Sequence, residues 1–125
     1  MTFCTAINCM DGRTQRPVIE FLSRYFQADH VDMITEPGPN LILSRPDHTP
    51  AVDSILARID ISVHKHHSLG IAIVGHHDCA GNPSAKDDQT QQTTAAMQLL
   101  RRKYPATPVI GLWVNDNFEV DDVLT

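Results

Sequence analysis

Gly70-Ile71-Ala72-Ile73-Val74-Gly75-His76-His77-Asp78-Cys79 is the stretch that decides the fold. With Leu69 ahead of it, the first half is apolar at successive positions. Both faces of such a strand must be covered, as in a parallel sheet between two layers of helices. Metal-ligating side chains begin where the apolar run stops. The N-terminus repeats the arrangement: Thr2 leads into a buried strand, Phe3 to Asn8, and Cys9-Met10-Asp11-Gly12-Arg13 follows it.

The remaining elements fall around these two strands. Pro17 suits the first turn of a helix on which Val18, Leu22, Tyr25 and Phe26 recur at helical spacing. His30 to Thr35 reads as a further strand, and Pro37, Gly38, Pro39 and Pro46 mark a loop after it. Thr49-Pro50 is a cap and first-turn pair. Beyond it, Val52, Ile55, Leu56, Ile59 and Val63 trace a helical stripe that predicts a helix to about His66. Gly81 to Asp88 reads as a polar loop. A helix from near Asp88 to near Lys103 then buries Ala96, Met97 and Leu100, and Val109 to Val114 is a last buried strand before an acidic tail.

The order β-α-β-α-β-α-β predicts a three-layer α/β/α fold with a four-stranded parallel sheet. Right-handed crossovers leave 2-1-3-4 as the simple strand order with a switch point. There the first and third strands are neighbours, and ligand crevices form at the carboxyl ends of strands around such a switch. Cys9 follows the first strand; His76 and Cys79 follow the third. With no internal repeat, low-complexity tract or linker, residues 1–125 read as one zinc-binding domain.

Bulk properties narrow the class. The chain has 125 residues, an ordinary hydrophobic fraction of 42% and a net charge of −5. That charge argues against nucleic acid or an anionic membrane as partner, and Arg101-Arg102-Lys103 reads as the cationic last turn of a helix. There is no apolar run of membrane-spanning length and no basic-then-hydrophobic leader, so a mature chain beginning near Met1 in the cytoplasm is expected. Three cysteines, an odd number, do not make a disulfide framework, which leaves reduced thiols free to bind metal.

Zinc takes thiolate and imidazole ligands tetrahedrally, and catalytic sites keep one position open. His76 and Cys79, three residues apart on a turn, can chelate one ion, with Cys9 as the third ligand. Two thiolates and a neutral imidazole cancel the charge of Zn²⁺. Water bound there is less acidic than on a three-histidine zinc, so neighbouring groups must help. Asp11 could accept a hydrogen bond at the fourth position or take that position itself. Arg13 could hold Asp11 through a bidentate fork and keep it ionised, a geometry a lysine lacks. Cys4 reads as a small core residue. His64, His66 and His67 read as a solvated helix end, and His77 as either a proton relay or a surface imidazole.

Cys-x-Asp-x-Arg followed by Gly-His-x-x-Cys-x-Gly resembles the metal-binding signature of the β-class carbonic anhydrases. The likeness implies Cys9, His76 and Cys79 as zinc ligands and Asp11 with Arg13 as the catalytic dyad. The implied reaction is reversible hydration of carbon dioxide to bicarbonate by zinc-bound hydroxide. Hydrolases of carbonyl sulfide and carbon disulfide share the framework. Three departures stand out: the first strand starts almost at Met1, where the family usually carries helices; Cys-Gly-Gly becomes Cys79-Ala80-Gly81; and the Ala-Gly-Asn region becomes Glu36-Pro37-Gly38-Pro39-Asn40. Glu36 places an acid near a site meant for an anionic product. The crevice also lacks its usual covering elements, so a homodimer or higher homo-oligomer is expected, a second subunit supplying a wall. Two other functions compete: a non-catalytic zinc protein, and a thiol enzyme with Cys9 as nucleophile. The Cys9 to Arg13 spacing is too short for a phosphatase loop.

Overall fold

The computed structural model describes residues 1–45 and 47–125, so the predicted loop position at Pro46 lies outside the described residues. The apolar run after Leu69 forms β3 (Ile71–His76), buried along its whole length. Beside it runs β1 (Phe3–Cys9), with β2 (His30–Glu36) on the far side of β1 and β4 (Val109–Val114) on the far side of β3. All three pairings are parallel, and Thr5, Ala6 and Ile7 stand opposite Ile71, Ala72 and Ile73. The predicted order 2-1-3-4 is therefore present. A fifth strand, β5 (Val120–Leu124), extends it antiparallel to β4, in the segment that reads in sequence as an acidic tail.

The helices differ from the sequence reading at their ends. A 3₁₀ turn, Gly12–Thr14, precedes α1 (Gln15–Tyr25), so the helical path begins before Pro17. The predicted loop after β2 contains a short helix, α2 (Pro39–Ser44). Gly38, at φ +63°, makes the reversal that leads into it, and Pro39 occupies its first turn. Thr49 caps α3 (Pro50–Asp60), its Oγ1 accepting from the Val52 N–H at 3.2 Å. The chain then continues as a π-helical turn, Ile61–Lys65, which carries the helix almost to the predicted end. The last helix is α4 (Lys86–Lys103).

Two apolar layers hold the sheet. On one face Ile7, Ile34, Ile71 and Ile73 pack with Leu43, Ile55, Ile59, Met97 and Leu100 from α2, α3 and α4. On the other, Cys4, Ala6, Ala72, Val74 and Leu112 pack with Val18 and Leu22 from α1. Cys4 is fully buried there, a core residue as expected. Only small side chains at positions 4, 6 and 72 leave room for α1 to come this close. The three histidines at the end of the π turn, His64, His66 and His67, are all exposed, as expected, and His66 is in addition held by Asp32, its Nδ1 2.7 Å from Oδ2, with its ring stacked on Phe3. Among the described residues no helix is long and apolar enough to cross a membrane.

Candidate metal centre

Because β1 and β3 are neighbours and parallel, their carboxyl ends deliver Cys9 and His76 side by side, and the turn after β3 returns Cys79 to them. The donor atoms of Cys9, His76 and Cys79 all lie within 4.8 Å of one another, and all three residues are buried. The two sulfurs are 3.8 Å apart. That is too far for a disulfide, whose bond is about 2.0 Å, and all three cysteines of the chain are free. Two thiolates about 2.3 Å from a tetrahedral zinc would stand roughly 3.8 Å apart. His76 supplies the other half of the fit. Its Nδ1 lies 2.7 Å from the His77 carbonyl oxygen, to which it donates, and its Nε2 is buried with no partner. A donated Nδ1 proton leaves the Nε2 lone pair free for a metal.

The electrostatics suit deprotonation at Cys9. Burial pushes the Cys9 thiol up, but the His76 imidazole and the backbone N–H groups of Gly38 and Asp11 outweigh it and bring the thiol down to about 7. Burial also opposes a charged His76, yet the Cys9 thiol and the His77 carbonyl push the imidazole up. Cys79 moves the other way, raised by burial and by the neighbouring Cys9. The protein alone thus eases deprotonation at Cys9 and opposes it at Cys79. A divalent cation would displace the remaining protons.

Buried amides hold the loops that carry the three donors in place. Gln89, in the first turn of α4, accepts from the His76 N–H at 3.2 Å and donates to the carbonyls of His76, Asn82 and Ser84 at 3.0, 3.2 and 3.1 Å. Asn40 of α2 donates to Gln89 and Thr93 and accepts from Asn82. On the other strand end, Gln15 Nε2 donates to the carbonyls of Cys9 and Asp11 at 2.7 and 2.8 Å, and Asn8 Oδ1 accepts from the Cys9 N–H. Asn40 is expected from the sequence to keep the turn after β2, whereas no role is expected for Gln15 or Gln89. A signal for Gln89 exists, since it and Thr93 continue the buried stripe of Ala96, Met97 and Leu100 toward the N-terminus of α4. A polar residue on a buried stripe needs partners.

Asp11 and Arg13 meet as the spacing suggests. Arg13 Nε lies 3.1 Å from Asp11 Oδ1 and Nη2 lies 2.7 Å from Oδ2, while Oδ1 also accepts from the Arg13 backbone N–H at 2.9 Å. The Arg13 side chain holds the Asp11 carboxyl at about 2, well below the ordinary carboxylate range. Asp11 lies outside the three-residue donor cluster. Arg13 has two further partners that the sequence does not announce. It reaches Asp78 through its carbonyl at 3.2 Å and its carboxylate at 3.4 Å, and it lies over the ring of Phe118 at 4.4 Å. Glu36, the register partner of Cys9, is ion-paired to Arg58 of α3, which offsets the negative charge expected to trouble the site. The side chain of His77 is exposed.

A mostly parallel sheet of this order, with two thiols and an imidazole converging at the ends of its first and third strands, defines an α/β protein with a possible metal site of Cys-His-Cys type. The chain belongs to the family described as "Putative carbonic anhydrase", whose sequence model matches residues 1–124. No curated protein matches it.

Proposed function

We propose that this protein is a zinc-dependent lyase that reversibly hydrates carbon dioxide to bicarbonate. Cys9, His76 and Cys79 hold the metal, and Asp11 and Arg13 are the catalytic pair. One observation carries the reading: two buried thiol sulfurs 3.8 Å apart, beside a buried imidazole nitrogen with no hydrogen-bond partner among the described residues. Zinc in that donor set supplies a Lewis acid able to make water a strong nucleophile near neutral pH.

The chain's own residues do the rest. Asp11, held ionised by Arg13, is an acceptor that orients a hydrogen-bond donor beside the metal. Arg13 keeps the carboxylate on its own guanidinium and off the metal. Arg58 takes up the charge of Glu36, so an anionic product leaves past a neutral pair. Met10 is 63% exposed and Ile19 of α1 41% exposed. Their apolar surface near the start of α1 favours a homodimer in which a second copy walls the crevice. Carbon dioxide or a related heterocumulene is the substrate class. Reduced thiols at the ligand positions favour a cytoplasmic setting.

Stopped-flow hydration of the zinc-loaded protein, compared with Asp11→Ala, tests the reading. Removal of a group that positions a proton should lower turnover by about 10² while zinc content stays the same. The near-complete burial of the donors, 3%, 1% and 5% exposed for Cys9, His76 and Cys79, favours a second reading. In it the metal is structural. Stoichiometric zinc with no hydration by the parent protein would select that second reading.

A further inference from the structure

Phe118 has a backbone that its residue type does not explain. It sits in the connection between β4 and β5, where Asn115 organises a tight turn. The Phe118 N–H donates to the Asn115 carbonyl at 2.9 Å, and Asn115 Oδ1 accepts from the N–H groups of Asn117 and Glu119. The next position of such a turn is left-handed, and Phe118 occupies it at φ +56°. Glycine or asparagine takes that conformation at little cost, whereas an aromatic residue is strained in it. Strain of this kind persists where the side chain is needed in one place. Here the left-handed backbone delivers the ring to Arg13, whose Cζ lies 4.4 Å from the ring centroid.

The guanidinium is otherwise loosely held on its outer side. The Arg13 side chain is 46% exposed, and its contacts with the Asp78 carboxylate are long, at 3.4 and 3.5 Å. Besides the fork onto Asp11, the guanidinium has one further hydrogen bond of ordinary length, from Nη2 to the Asp78 carbonyl at 3.2 Å, which leaves its plane free to tilt. A planar cation on a flexible stem can swing out of such a fork into water. A ring beneath it restricts that motion, because the face of the aromatic ring attracts the cation and excludes solvent from one side.

We propose that Phe118 is a positioning residue for the Asp11–Arg13 pair. Its ring, carried by the β4–β5 hairpin, holds the Arg13 guanidinium in the plane from which it forks onto Asp11. The hairpin is thereby part of the device that keeps Asp11 off the metal. This inference rests on the functional reading above for its consequence, though not for its geometry. A ring serving only as core filler would be replaceable by any apolar side chain of similar size. Phe118 also packs against the α1-side core, so that alternative must be separated by the test.

The test is solvent exchange of the Arg13 Nε–H, followed by ¹⁵N NMR on the zinc-loaded full chain. Phe118→Leu keeps an apolar side chain and removes the π face. Exchange should become about two- to fivefold faster, the range expected for loss of one partly exposed cation–π contact. Phe118→Trp should restore slow exchange. A trifluorinated phenylalanine placed at position 118 keeps the ring's shape while weakening its attraction for a cation. It should also speed exchange, and it decides the matter if the leucine variant does not fold. Unchanged exchange in the leucine and trifluorinated proteins would overturn the inference and leave the metal reading intact. A parent chain that takes up no zinc would count against the metal reading alone, since Arg13 exchange reports the ion pair directly.

Discussion

Arg13 grips the carboxylate of Asp11 from two residues away, with Nε 3.1 Å from Oδ1 and Nη2 2.7 Å from Oδ2, in the turn that begins at the candidate ligand Cys9. A fork this local sets the direction of the carboxylate through the backbone of the same turn. Arg13→Ala should therefore leave zinc content unchanged, because Arg13 supplies no donor to the cluster. It should free Asp11 to compete for the metal's open position. Hydration should fall by about 10² or more, measured by stopped-flow beside metal analysis of the same sample.

The same pair has an acid-side signature. The folded-state Asp11 carboxyl is depressed to about 2, chiefly by the Arg13 side chain. A depressed carboxyl contributes stability that is present above its unfolded value, near 4, and is lost as pH falls through the folded value. The contribution should fade between about pH 4 and pH 2. It should be on the order of 1 kcal/mol, because the Arg13 side chain is 46% exposed and solvent screens the pair. Denaturant titrations at a series of pH values should show this loss in the parent protein and not in Arg13→Ala.

Gln89 ties four backbone groups of the His76–Ser84 segment to α4. Gln89→Leu fills similar space but strands those groups in a buried setting. The loss should be about 2–4 kcal/mol in stability. Zinc affinity, measured by chelator competition, should also fall about 10- to 100-fold, as it does when the partners that orient metal ligands are removed.

Gly38→Ala should be damaging for a reason visible in the backbone. Its φ is +63°, and an added Cβ would meet Asn82 Cβ at 2.8 Å and the Gly81 carbonyl carbon at 2.9 Å. Both the strain and the clash fall on the contact between the entry to α2 and the loop after Cys79. Thermal unfolding should show a loss of roughly 2 kcal/mol or more. A variant as stable as the parent would show that this contact relaxes freely.

Much of this was legible in the residues. The apolar run into His76 and the small-residue strand into Cys9 marked two buried neighbours, and the spacing after each placed the donors. What escaped has physical causes. Pro37-Gly38-Pro39 reads as a loop because prolines break helices in their interior, yet Pro39 stands in the first turn of α2, where its missing N–H costs nothing. The Val120–Leu124 strand was hidden because Asp121 and Asp122 interrupt its apolar positions, as suits a partly exposed edge strand. Nothing local marks Phe118 or Asp78 as partners of Arg13, because those contacts exist only once β4, β5 and the turn after β3 have been brought together. The charge of Glu36 seemed a difficulty for the same reason: Arg58 meets it only across a helix–strand contact.

Zinc held by Cys9, His76 and Cys79 would be seen by X-ray absorption at the zinc edge on protein purified without added metal. The spectrum should show one zinc per chain, with two sulfur neighbours at about 2.3 Å and one imidazole nitrogen at about 2.0–2.1 Å. His76→Ala should remove the nitrogen from that set, and Cys79→Ser one of the sulfurs. A metal-free protein with Cys9 and Cys79 joined as a disulfide, or a zinc whose neighbours are unchanged in those two variants, would contradict zinc ligation by these three residues.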